Sequence, residues 1–294
     1  MLTVDFKNIE LATAQNYLQQ AVTPRPICFA STINLAGIVN LSPFSFFNLF
    51  SINPPILIFS PSRRGRNNTI KHTLENILEV NEVVINMVSY AMVQQVSLSS
   101  CEYPTGVDEF LKSGFTKEAS QLIKPPRVKE SMVQFECKVI EVKPLGENGG
   151  AGNLVIAQVL LMHINEKILT EAGEIDPNKM EIVARLGANN YTRVNAASIF
   201  EIEKPTTKIA IGVDALPESI RNSNILTGNN LGQLGNVFEI PDVAASFYDD
   251  KLKNIVQYYS INPDDMEKEL HIYAKELLDN NKVAEAWQVL LALI

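Results

Sequence analysis

Cysteine is scarce in this chain of 294 residues, which holds only Cys28, Cys101 and Cys137. Widely spaced and odd in number, they exclude a disulfide framework and a zinc knuckle, both of which need close, paired cysteines. A reduced, cytoplasmic setting is expected. Histidine is equally sparse: His72, His163 and His271 have no partner at HxH or HExxH spacing, so no metal site is expected. No apolar run approaches the ~20 residues of a membrane span. The opening MLTVDFKNIELAT has early acids and no apolar core, so no export signal is expected. A Gly-x-Ser-x-Gly elbow and a P-loop are both missing, which leaves nucleophilic catalysis without support. Basic charge in bulk is also missing. The net charge of −8 argues against a nucleic-acid surface.

Against that acidic background, one short stretch stands out. Residues 61–74 contain Arg63, Arg64, Arg66 and Lys71 and no acid. Three apolar runs precede it, at 27–33, 37–50 and 56–59, divided by Asn-Leu-Ala-Gly and Asn-Pro-Pro. This order predicts a small antiparallel sheet delivering an anion site at the end of its third strand. The second run interleaves Phe44, Phe46, Phe47 and Phe50 with Asn40, Ser42, Ser45 and Asn48. Strand alternation would send the polar groups to one side and rings to the other, a wall suited to a flat ligand with polar edges. Pro43 lacks an N–H and predicts a departure from a regular ladder there.

Further strands are expected at 82–89, 132–142 and 154–164, and helices at 9–20, 69–79 and 92–99. Gly146-Glu-Asn-Gly-Gly-Ala-Gly152 evokes a dinucleotide loop, but Val155 takes the third glycine's place and a strand follows, so a hairpin turn is expected. Five or six strands without crossover helices favour a barrel over a doubly wound sheet. Beyond residue 200 the character changes. Lys204-Pro205-Thr206-Thr207 reads as a boundary, dividing the chain into 1–204, a loop-rich arm at 205–241 and a helical extension at 242–294. Helices are expected at 244–259, 263–280 and 282–293, with Asp242 and Asn262 as N-caps. The arm carries Ile220, Ile225, Leu226, Leu231 and Leu234, too many apolar anchors for a free linker, and is expected to lie ordered across the barrel.

The ordered motifs T-P-R-P-I at 23–27, A-S-T at 30–32, N-L-S-P-F-S-F-F-N at 40–48 and N-P-P at 53–55 resemble the FMN-binding split-barrel, flavin reductase-like family. K-H-T-L-E-N-I at 71–77, V-I-N-M-V at 84–88, G-V-D-E-F at 106–110, P-P-R-V-K-E-S at 125–131, F-E-C-K-V at 135–139 and R-L-G-A-N-N-Y at 185–191 extend the likeness over roughly 20–200. The resemblance implies a mainly β protein, a six-stranded split barrel with helical additions, that binds FMN and forms a homodimer. It implies that Ser31, Thr32, Asn40, Pro43, Phe44, Ser45 and Asn48 face the isoalloxazine and ribityl chain, and that Ser62, Arg63, Lys71 and Thr73 hold the phosphate. NADH or NADPH is the implied donor, with a partner monooxygenase or another electron acceptor downstream. A non-enzymatic FMN-binding or electron-carrier module with a partner-docking helical tail is the alternative. Two departures stand out. His72 replaces the acid of the usual K-D-T. Ala151-Gly152-Asn153 replaces the G-D-H of many NADH-using relatives, which tips the expectation towards tightly held FMN.

Overall fold

Two residues carry the chain from one edge of its main sheet to the other, and that step forces the sheet to curl. The computed structural model describes residues 1–205, 209–244 and 246–293. Seven strands form the sheet: β1 (Cys28–Ile33), β2 (Val39–Phe44), β3 (Phe47–Ile52), β4 (Pro55–Phe59), β5 (Glu82–Met87), β6 (Val133–Pro144) and β7 (Asn153–Ile164). Their order is β2-β1-β5-β6-β7-β4-β3, antiparallel throughout. Laid flat, strands 4.8 Å apart would separate β2 from β3 by about 29 Å. Ser45 and Phe46 can bridge only about 10 Å. The sheet therefore closes into a barrel.

The expected count of six strands is corrected to seven. The apolar run at 37–50 is two strands, β2 and β3, on opposite edges of the sheet. Pro43 lies on the edge strand β2 opposite Phe29, where one side of the strand has no ladder to lose. The 146–152 glycines form the β6–β7 hairpin turn, and β6 and β7 pair with two register shifts that bend the ribbon.

Both faces of β1 are covered, which explains its nearly continuous burial. Cys28 and Ala30 point into the barrel with Leu57, Phe59 and Val155, where helix α2 (His72–Glu79) adds Leu74 and Ile77. Phe29 points outwards into a second core with Leu41, Val96 and Phe110, under α3 (Val93–Leu98) and α4 (Glu109–Ser113). Its ring meets Phe115 edge-on at 5.2 Å. The leading helix spans Leu11–Ala21, and a three-stranded sheet of Arg25–Pro26, Val183–Gly187 and Asn190–Arg193 was not anticipated. Among the described residues no helix is long and apolar enough to cross a membrane.

The chain divides into units Met1–Phe200 and Glu201–Ile294. The second is helical: α5 (Gly228–Gly235), α6 (Asp250–Tyr258), α7 (Pro263–Asp279) and α8 (Val283–Leu290). Asn262 caps α7 as expected, but Asp249, not Asp242, caps α6 by accepting from Leu252 N at 2.7 Å. Thr206, Thr207 and Ala245, on which parts of the expected boundary and helix fall, lie outside the described residues. Leu216, Ile220, Leu226 and Leu234 share one core with Met266, Leu270, Leu278 and Trp287. The apolar anchors of 205–241 are thus used within the helical unit.

Candidate functional site

The basic loop after β4 is braced by its own side chains and by the β6–β7 hairpin. Arg63 closes it: Nε donates to Asn68 Oδ1 and Nη2 to Asn68 O, both at 2.6 Å. Asn68 itself adopts a left-handed φ of 56°, which asparagine tolerates better than most residues. Arg63 N donates to Ala151 O at 2.8 Å, Gly150 N to Arg63 O at 3.0 Å and Asn68 Nδ2 to Glu147 O at 2.9 Å. The hairpin tip is therefore a strut beneath the loop.

Arg64 faces the other way, into a pocket lined by Asn40, Ser42, Lys71, His72, Thr73, the segment 99–103 and Glu109. Its guanidinium is braced by Thr69 Oγ1 at 3.0 Å and by Ile70 O. Arg64 Nε and Lys71 Nζ lie 3.6 and 3.7 Å from the Glu102 carboxylate, which Arg66 also contacts. Burial, then repulsion from Arg64 and Arg66, lowers the pKa of Lys71. Helix α2 begins at the same place, with Lys71 as its N-cap and no side chain capping it, so its positive dipole end adds to the field.

A hydrogen-bonded floor lies beneath. Thr73 Oγ1 donates to Asn40 Oδ1 at 2.6 Å, and Asn40 Nδ2 donates to Glu109 Oε1 at 2.8 Å. Leu41 N donates to Glu109 Oε2 at 3.1 Å. Burial raises the pKa of the Glu109 carboxyl even though these donors and nearby His72 pull it down. His72 Nε2 is 3.2 Å from Thr105 Oγ1. On β1, Asn76 Nδ2 donates to Thr32 Oγ1 at 3.2 Å, while the buried Ser31 Oγ has no hydrogen-bond partner among the described residues. His163 is elsewhere, paired with the buried Glu136 at 2.8 Å.

Of the residues expected at the site, Asn40, Lys71 and Thr73 come together, with Ser31 and Thr32 buried on β1. Pro43, Ser45 and Ser62 are half-buried. Phe44 turns into the barrel core, 5.5 Å from the Phe59 ring. Asn48 is exposed on β3 and accepts from Leu49 N at 2.8 Å. The sequence singles out Arg63, whose guanidinium is taken up by Asn68, while the pocket holds Arg64, Glu102 and Glu109, to which the sequence assigned no site role.

Residues 21–177 match the flavin reductase like domain. The chain belongs to the flavin reductase-like family. Its barrel is the split barrel of that family, with a helical region beyond the matched residues. An uncharacterised protein of Aquifex aeolicus is 38% identical over 172 residues, covering 58% of this chain and 85% of that protein. Nitrilotriacetate monooxygenase component B from Bacillus cereus superposes with a TM-score of 0.64 and 26% identity, over 69% of this chain and 98% of that one. An FMN-binding protein from Thermus thermophilus shares the fold, with a TM-score of 0.55 and 15% identity over 68% and 100% of the two chains.

The site of this flavin reductase-like chain fits a flavin bearing a phosphate. Three cations face a single carboxylate, an excess of positive charge that a phosphate dianion would neutralise. The hairpin strut carries a testable consequence. A Cβ on Gly149 would lie 2.9 Å from Gly65 O and 3.2 Å from Arg64 O, so the basic loop must shift to admit it. Gly149→Ala is expected to destabilise the fold by about 1–3 kcal/mol and to weaken phosphate binding. A melting temperature and phosphate affinity both equal to wild type would show that the strut does not set the loop.

Proposed function

We propose that this chain is an FMN-binding oxidoreductase that passes electrons from NADH or NADPH through FMN to an acceptor. The observation that carries the reading is the convergence of Arg64, Lys71 and the uncapped start of α2 on one pocket floored by Asn40 and Thr73, with the exposed Arg66 pairing with Glu102 at its wall. Ser62, Arg64, Lys71 and Thr73 hold the phosphate, Arg64 taking the part that the resemblance gave to Arg63. Ser31, Thr32, Asn40 and Ser45 meet the ring and ribityl chain. FMN, when bound, supplies the redox chemistry, and the chain fixes its place and its hydrogen bonds. The likeness to a monooxygenase component supports a partner monooxygenase as the acceptor. A cytoplasmic setting, with all three cysteines unpaired, belongs to the same reading.

Adding NADH or NADPH anaerobically to the FMN-loaded protein is expected to bleach the flavin absorbance with one donor faster than with the other. Bound flavin that neither donor bleaches would support a non-enzymatic FMN module instead. A homodimer is also proposed. The edge strand β3 exposes Leu49, Phe50 and Ile52, an apolar margin that a soluble protein normally covers, and a two-fold copy would cover it. Sedimentation is expected to give twice the 32.6 kDa chain mass, and a value near one chain would refute the dimer.

A further inference from the structure

We propose that Glu102 is a built-in competitor for the flavin phosphate, which keeps the flavin exchangeable; this rests on the functional reading above. Its carboxylate stands where the cradle's anion belongs, 3.6 Å from Arg64 Nε, 3.7 Å from Lys71 Nζ and in contact with Arg66. Among the described residues no other carboxylate pairs with these three cations. The two acids in this pocket differ in what holds them. Glu109 is buried and locked by Asn40 Nδ2 and Leu41 N. Glu102 is about a third exposed, and its carboxylate is held by the three cations. It sits on an irregular segment between α3 and α4, free of helix or strand pairing. It can therefore yield its place without unravelling an element.

A phosphate dianion brings more charge and one more acceptor oxygen than a carboxylate. It wins the cradle, but only against Glu102. Whether the carboxylate swings out or stays beside the phosphate, its charge subtracts from the attraction. The loss falls mainly on residence time. A flavin held this way exchanges readily in either redox state, as a reductase supplying a separate partner requires. That differs from the tightly held FMN expected from the missing G-D-H histidine.

The test uses the full chain with Glu102→Gln, which keeps shape and removes charge, and Glu102→Ala as a second variant. FMN and riboflavin, which lacks the phosphate, are titrated at equilibrium, and inorganic phosphate is titrated in thermal melts. Glu102→Gln is expected to tighten FMN about tenfold and leave riboflavin within twofold. Inorganic phosphate should raise its melting temperature more than that of wild type. Equal or weaker FMN binding in both variants would overturn the proposal and make Glu102 an organiser of the cations. An equal gain for riboflavin would overturn it too. Should no variant bind flavin while Glu102→Gln still gains inorganic phosphate, the flavin reading fails and competition at the cradle stands.

Discussion

Replacing Arg64 and Lys71 together by alanine is expected to weaken FMN about 10²- to 10⁴-fold in an equilibrium titration, since each charge-assisted hydrogen bond is worth about 1.5–3 kcal/mol. Riboflavin, without the phosphate, should change little. The two side chains flank the same carboxylate, so the double variant is expected to cost less than the sum of the single ones. Arg63→Ala supplies the contrast. Its guanidinium is spent on Asn68 and closes the loop, so the variant should lower the melting temperature while weakening FMN less than Arg64→Ala does. FMN binding unchanged in the double variant would remove the cradle from the flavin site. A larger loss in Arg63→Ala than in Arg64→Ala would return the phosphate to Arg63.

The contrast between those two arginines shows where the sequence stops being readable. The basic island and its place after a strand were legible, because charge clustering and period-two patterns are local signals. Which of two adjacent arginines faces the pocket depends on how the loop is closed, and Asn68 within it and Glu147 and Ala151 on the distant hairpin decide that. Glu102 is distant in sequence from the island and joins it only through tertiary packing. Phe44 illustrates the opposite failure. Asn40, Ser42 and Phe44 alternate onto one and the same face of β2, so the expected division of polar groups from rings fails there, and Phe44 turns into the barrel interior shared with Phe59. The seventh strand was hidden for a similar reason. The same interleaving of apolar and polar residues runs on from β2 to β3 while the chain crosses from one sheet edge to the other in two residues. The hairpin at 146–152, by contrast, was legible from its glycines and flanking strands alone, because a turn is a local object.

Trp287→Ala is expected to unfold the Glu201–Ile294 unit while the barrel keeps its flavin affinity. Trp287 is 1% exposed and is the largest fully buried side chain among the described residues. Truncating such a residue costs about 3–5 kcal/mol, a large part of the ~5–15 kcal/mol that stabilises a whole domain. Its core joins Leu216, Ile220, Leu226 and Leu234 to residues of α7 and α8, so the segment once read as a separate arm should lose amide-exchange protection together with those helices. The indole Nε1 is buried without a hydrogen-bond partner among the described residues. Trp287→Phe keeps a ring and removes that orphaned donor, so it should be far milder than alanine. We propose on these grounds that the cooperative units are two, dividing near residue 200, and that 205–241 folds with 242–294. Protection that persists over 211–237 while α7 and α8 exchange freely would restore a separate arm. An FMN affinity that falls in step with the helical signal would instead make the barrel depend on the helices.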